Sequence, residues 1–224
     1  MKEMRMSSLS PKQQMFAHFA SLARALGNEN RLELLELLAQ SPQNVDALTA
    51  TTGLSFANVS QHLQHMRKAG LVVGERDGKN VRYRLQDGPI VEAVTALRTL
   101  AEHNMAEVRG VIDGYFLELD SMEPIGPNEL LLRLEAGSVT LLDVRPEDEF
   151  RAGHLPSAKN ITLEKLAGQL ADLPRDTEIV AYCRGPYCVL SFEAVQALRA
   201  EGFTVRRYKD GFPEWKAAGL PVES

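Results

Sequence analysis

The residues best suited to covalent chemistry are Cys183 and Cys188, the only two cysteines in the chain. Cys183 follows Glu178 to Tyr182, which reads as a strand, and a helix is expected to start around Val189. Residues 183–188, Cys-Arg-Gly-Pro-Tyr-Cys, thus form a tight loop at a helix N-terminus. Successive backbone N–H groups in such a loop cradle an anion and favour thiolate over thiol. A cysteine in that setting is a nucleophile able to accept a sulfane sulfur and hold it as a persulfide. Arg184 could help bind an anionic donor such as thiosulfate, and Gly185 lets backbone approach closely. Pro186 and Tyr187 complete the expected active loop. Cys188 has two readings. It can resolve a Cys183 persulfide or sulfenic acid as a disulfide, if the two Cα atoms lie within about 7 Å, or it can be a small apolar residue that starts the helix.

A second surface has the chemistry of nucleic-acid recognition. From Ser55 to Arg84 there are six basic residues (Arg67, Lys68, Arg76, Lys79, Arg82 and Arg84) against Glu75 and Asp77, a local balance of +4 in a chain whose formal net charge is -5. Composition alone favours a solvated charged face. Its setting favours DNA. A helix over Ser55 to Ala69 would show Ser55, Asn58, Ser60, Gln61, Gln64 and Arg67 on one face, short polar side chains that can meet base edges in a major groove. Val59, Leu63 and Met66 fall on the opposite, core-facing stripe. Arg76, Lys79, Arg82 and Arg84 could reach phosphates, which adds affinity without sequence information.

The elements that must hold these two surfaces follow from pattern. Apolar spacing predicts helices from Pro11 to about Gln40, broken at Gly27-Asn28, a short helix over Val45 to Thr51, and the Ser55 helix, capped by Ser55 and stopped by Gly70. Leu71 to Arg76, the turn Asp77-Gly78, and Lys79 to Leu85 read as a hairpin, the candidate wing. A long helix with an apolar stripe is expected from about Pro89 to Leu119. Residues 120–127, Asp-Ser-Met-Glu-Pro-Ile-Gly-Pro, read as a linker, dividing the chain into a domain over residues 1–119 and another over residues 128–224. In the second, strands at Val139 to Val144, Ala158 to Ile161, Glu178 to Tyr182 and Thr204 to Tyr208 alternate with helical segments, which predicts an α/β domain with a largely parallel sheet.

With 224 residues the chain is long enough for two small domains, and no apolar run approaches the roughly 20 residues needed to cross a bilayer. The N-terminus lacks the apolar core of a signal peptide, so a cytoplasmic protein without membrane partners is expected. A close cysteine pair in a reducing compartment points to reactivity or redox sensing rather than to a structural staple.

Residues 10 to 115 resemble repressors of the ArsR/SmtB family. The run Ser60-Gln61-His62-Leu63-Gln64-His65-Met66-Arg67-Lys68-Ala69-Gly70-Leu71-Val72 and the wing Gly78-Lys79-Asn80-Val81-Arg82-Tyr83-Arg84-Leu85 carry the likeness. The resemblance implies a mainly α winged helix-turn-helix domain that binds palindromic double-stranded operator DNA as a homodimer, through Pro11 to Ala25 and Pro89 to Leu119. Many such proteins sense metals with a thiolate pair in the helix around residues 45–48, but no cysteine precedes Cys183. On the last helix only Glu102, His103 and Glu107 remain as candidates, too few for a closed site, so no metal and no cofactor is expected.

Residues 139 to 221 resemble a rhodanese domain. The motifs are Leu141-Leu142-Asp143-Val144-Arg145, Glu149-Phe150-Arg151-Ala152-Gly153-His154-Leu155-Pro156-Ser157-Ala158, the Cys183 to Cys188 loop, and Gly211-Phe212-Pro213-Glu214-Trp215. The resemblance implies sulfurtransferase chemistry on Cys183 with a small donor such as thiosulfate or polysulfide. Phosphatases and arsenate reductases of this architecture use a longer C-x5-R loop, whereas here the sixth residue after Cys183 is Val189. Asp143 and Arg145 are expected to form an ion pair supporting the loop, and His154 to be structural. Two functions remain open at this point: a regulator that senses or transfers sulfane sulfur, or a sulfurtransferase whose helix-turn-helix serves only for localisation or dimerisation.

Overall fold

The computed structural model describes residues 10–120 and 122–224; residues 1–9 of the expected N-terminal domain and Ser121 of the expected linker lie outside them. By contacts the chain divides into two compact units, Met1–Ile90 and Val91–Ser224. Among the described residues no helix is long and apolar enough to cross a membrane.

The first unit is a winged helix-turn-helix. Helix α1, Pro11–Leu26, starts at a capping box in which the Ser10 hydroxyl accepts from the Gln13 amide and the Gln13 side chain accepts from the Ser10 amide. Asn28 caps α2, Glu29–Gln40, and Asn44 caps α3, Val45–Thr52, which ends on Gly53 at φ +70°. Helix α4, Phe56–Lys68, is capped by Ser55, and Gly70 at φ +75° lets the chain turn out of it. Leu34, Leu35, Leu38, Leu48, Val59, Leu63 and Met66 are buried together with Leu71 and Val72, so the side chains that recur every three or four residues on these helices form one core. Strand β1, Gln43–Asn44, pairs with β3, Asn80–Leu85, which pairs in turn with β2, Val72–Asp77, giving the antiparallel order β1-β3-β2. The wing closes at Asp77↔Asn80, with Gly78 at φ +61°.

The second unit begins with a helix that sequence periodicity extends unbroken to Leu119. Instead α5, Ile90–Asn104, ends at an extended Met105, and α6, Ala106–Val111, runs into a π-helical turn over Ile112–Phe116 and a last helical stretch, Leu117–Leu119. The break is stabilised by Arg109, whose guanidinium donates to the Glu102 and His103 carbonyls at 3.2 and 2.6 Å, satisfying acceptors at the end of α5.

The α/β layer follows. Helix α7 spans Pro127–Glu135, and strands β4, Val139–Asp143, β5, Lys159–Asn160, β6, Glu178–Tyr182, and β7, Val205–Arg207, form a parallel sheet in the order β5-β4-β6-β7. Its two faces bury different residues. Leu142, Ile179, Ala181, Val195 and Leu198 lie in one core, and Leu141, Val180, Tyr182, Phe212 and Trp215 in the other, the alternation that a period of two imposes on a sheet covered on both sides. Around it lie α8, Glu147–Ala152, α9, Leu163–Leu166, α10, Val189–Ala200, and α11, Phe212–Ala217.

The segment expected as a linker is packed into this layer. Ile125 is fully buried, donates to the Arg207 carbonyl, accepts from the Lys209 amide, each at 2.8 Å, and forms a parallel bridge to Tyr208. Asp120 is buried between Arg199 and Arg207, at 2.8 and 3.0 Å. Two prolines and a glycine made this stretch look free, but its backbone and carboxylate find partners that are distant in sequence.

Candidate functional site

The cysteine loop sits where the sequence places it, between the end of β6 and the start of α10, with Cys188 as the cap residue of α10. Cys183 is buried and is joined to Cys188 in a disulfide, with the Cα atoms 6.1 Å apart. Gly185 is also buried, while Arg184, Pro186, Tyr187 and Cys188 are half-buried. The loop rests on α11. The Phe212 amide donates to the Cys183 carbonyl at 3.2 Å, and a Cβ on Gly211 would fall 2.3 Å from the Arg184 carbonyl oxygen, so only glycine fits at residue 211.

Arg184 is not aimed as expected. Its Nε and Nη2 grip both oxygens of Glu149 on α8 at 2.6 to 3.1 Å, and Glu149 is almost fully buried. A carboxylate in that position must be compensated, and a guanidinium fork is the geometry that does it. The charge expected to hold a donor therefore neutralises Glu149.

The expected Asp143–Arg145 pair is present and fully buried, with Nη2 to Oδ2 at 2.6 Å and Nη2 also donating to the Gly153 carbonyl at 2.8 Å. The Arg145 guanidinium lies 4.4 Å from the Phe212 ring centroid, so the pair supports the residue that holds the Cys183 carbonyl. His154 stacks on Phe150 at 3.8 Å and bonds the Phe150 carbonyl through Nδ1.

On its other side the loop touches the helices that precede the sheet. The Tyr187 hydroxyl donates to Glu102 Oε1 at 2.6 Å, and its ring packs on Phe116, which also packs on Phe192. Burial, and then the bond to Glu102, hold the Tyr187 hydroxyl above the ordinary tyrosine pKa of 10.0. Arg207 Nη1 reaches the Pro186 carbonyl at 3.5 Å while its Nε binds Asp120. Sequence reasoning did not assign Glu102, Asp120, Glu149 or Arg207 to the loop, and Glu102 stood only among the metal-ligand candidates. Glu149 stood inside a recognised motif, but nothing local marked its partner.

The polar face of α4 is solvent-facing: Ser55, Asn58, Gln61, Gln64 and Arg67 are exposed and Ser60 is half-buried, whereas Val59, Leu63 and Met66 are buried as expected. The Ser55 hydroxyl also accepts from the Asn58 amide at 3.3 Å. Phe56, not singled out from the sequence, is 55% exposed at the start of the same helix. In the wing Arg76, Lys79 and Arg82 are exposed, and Arg82 is steadied by the Pro42 carbonyl at 2.7 Å. Arg84 differs from expectation. It is paired with Glu75 at 2.7 Å and Asp87 at 3.2 Å, so a phosphate would have to compete with two carboxylates. Among the described residues no group of three or more His, Cys, Asp or Glu side chains is arranged to hold a metal ion.

These parts define a winged helix-turn-helix DNA-binding regulator joined to a rhodanese-like domain. Residues 28–73 match the family model "Bacterial regulatory protein, arsR family", and residues 126–218 match "Rhodanese-like domain". HTH-type transcriptional regulator Rv0324 of Mycobacterium tuberculosis is 40% identical over 204 residues, covering 91% of this chain and 89% of the relative. HTH-type transcriptional regulator YgaV of Escherichia coli is 31% identical over 96 residues, 42% of this chain and 97% of its own length. A solution structure of the homodimeric winged helix-turn-helix DNA-binding domain of Mb0332 from Mycobacterium bovis is 27% identical, covers 45% of this chain and 93% of that one, and has a TM-score of 0.41. The chain belongs to the arsR family of transcriptional regulators, in the form that carries a rhodanese-like domain.

Proposed function

We propose that the protein is a homodimeric repressor that binds double-stranded operator DNA in the cytoplasm and senses sulfane sulfur through Cys183. The observation that carries this reading is the pairing of Cys183 with Cys188 across 6.1 Å, within disulfide reach, at the mouth of a helix N-terminus. Starting from the reduced pair, the Cys183 thiolate attacks the outer sulfur of thiosulfate. The S–S bond breaks and sulfite leaves with its electron pair, so Cys183 becomes a persulfide. A polysulfide reacts in the same way and leaves one sulfur shorter.

The Cys188 thiolate then attacks Cys183 Sγ, the bond to the outer sulfur breaks, and that sulfur departs with the persulfide proton as hydrosulfide. The product is the Cys183–Cys188 disulfide, which a cellular dithiol reduces back to two thiols while itself becoming a disulfide. This sequence converts transient sulfur uptake into a persistent state. Dimerisation through the first and last helices of the N-terminal domain is supported by Met15, Phe16 and Phe19 of α1, each more than half exposed, and by exposed Leu97 and Leu100 of α5.

The test is operator affinity of the reduced, persulfidated and disulfide forms at one salt concentration, beside a thiosulfate:cyanide sulfurtransferase assay. Affinity that differs among the forms is the expected result. Steady turnover with no operator binding would instead make the protein an enzyme whose helix-turn-helix serves for localisation.

A further inference from the structure

We infer that Glu102 of α5 is a positioning residue for the cysteine loop, and that its bond to Tyr187 is the contact through which the state of the Cys183–Cys188 pair reaches the DNA-binding helices. The inference rests on the sulfur-sensing reading above. Tyr187 is covalently next to Cys188, and its hydroxyl is 2.6 Å from Glu102 Oε1. The Tyr187 ring lies 5.1 Å from that of Phe116 on the π-helical turn, and Phe116 is 5.0 Å from Phe192 on α10. The preceding loop residue, Pro186, accepts from Arg207, whose other face binds the buried Asp120. Two consecutive loop residues thus hold two points of the helical segment, Glu102 near its middle and Asp120 at its end.

The segment is connected to DNA by the chain itself. Helix α5 starts at Ile90, directly after the wing strand β3 and residues 86–89. A polar contact from this helix to the loop comes from Glu102, which accepts from Tyr187 and also lies 3.9 Å from Arg98, itself bound to Glu214 of α11 at 3.2 Å. Opening the disulfide releases Cys188 from Cys183, and Cys188 is the cap of α10, so the backbone that carries Tyr187 gains freedom when the bond is reduced. A loop with different free energies for gripping Glu102 in its two states must bias the helix differently in each. Linkage makes this reciprocal: if the disulfide changes operator affinity, the operator changes the disulfide–dithiol equilibrium by the same factor.

The experiment uses the full chain as wild type, Glu102→Ala and Glu102→Gln. Three quantities are measured: operator affinity of the reduced and disulfide forms, the glutathione redox midpoint of the pair with and without operator DNA, and Cys183 persulfide after polysulfide treatment by mass spectrometry. For wild type, affinities are expected to differ by roughly 5- to 150-fold between the forms, with a matching shift of the redox equilibrium on adding DNA. Glu102→Ala should bring both effects within about twofold of unity. Glu102→Gln, whose amide oxygen still accepts from Tyr187, should keep most of both. A Glu102→Ala protein that retains the full difference overturns the inference. Normal sulfur uptake with equal operator affinities in wild type overturns it too and leaves sulfur chemistry standing, whereas a wild type that takes up no sulfur at Cys183 overturns the sensing reading and the inference together.

Discussion

Arg184 and Glu149 form a two-pronged ion pair beside the cysteine loop, with Nε 2.9 and 3.1 Å from the two carboxylate oxygens and Nη2 2.6 Å from one of them. The pair makes the loop's arginine part of its scaffold. Removing one partner leaves a buried charge uncompensated, which costs about 3 to 5 kcal/mol in buried pairs. Glu149→Ala is therefore expected to lower the melting temperature measurably, and Arg184→Ala to destabilise the fold more than it weakens thiosulfate use. A stable Arg184→Ala protein with a strongly raised KM for thiosulfate would return Arg184 to donor binding.

The two cysteines should separate under substitution. Cys183→Ser is expected to abolish persulfide formation from thiosulfate or polysulfide, and Cys188→Ser to let the Cys183 persulfide accumulate because no neighbouring thiol displaces it. Intact-mass spectrometry reads both. Sulfur transfer at the wild-type rate by Cys183→Ser would remove Cys183 as nucleophile.

On DNA, Asn58→Ala and Gln61→Ala each remove an exposed partner for a base edge and should weaken cognate binding by about 1 to 3 kcal/mol, with a smaller effect on random DNA. Arg82→Ala should weaken both similarly and flatten the salt dependence. Equal losses on cognate and random DNA for all three variants would show that recognition helix and wing had been assigned wrongly.

Alkaline pH should test the Tyr187 contact. The folded protein holds this hydroxyl protonated above the ordinary value of 10.0, chiefly by burial and then through Glu102. A raised folded-state pKa means that the stabilisation is fully present below about pH 10 and declines as pH rises through the folded value. Between about pH 10 and 12, wild type should lose more stability than Tyr187→Phe, since the contributions of Tyr182 and Tyr208, both also raised in the fold, are common to the two proteins. Parallel stability curves would mean that the hydroxyl contributes nothing.

Much of the fold was readable because it is written in local spacing. Val59, Leu63 and Met66 recur on one side of a single helix, Asp77-Gly78 marks a hairpin, and a strand–loop–helix at Cys183 needs only neighbouring residues. The contacts that shape the cysteine loop are of another kind. Arg184 and Glu149 are 35 residues apart, Tyr187 and Glu102 are 85, and Arg207 and Asp120 are 87. No periodicity links such positions, and a carboxylate that compensates a distant arginine looks like any surface acid. The break at Met105 was hidden for a related reason: no glycine or proline lies between Ile90 and Met105 to mark it, and its stabiliser is the side chain of Arg109 beyond it.

The bridge between Ile125 and Tyr208 bears on how separable the rhodanese-like domain is. A fragment beginning at residue 128 would strip an edge backbone from Arg207 and Lys209 and leave Arg199 and Arg207 without Asp120. As a transferable cassette the domain extends upstream to at least Asp120, where the last turn of the preceding helix ends. Any recombination event, natural or engineered, that moved the rhodanese-like part to a new host protein would have to carry that stretch with it.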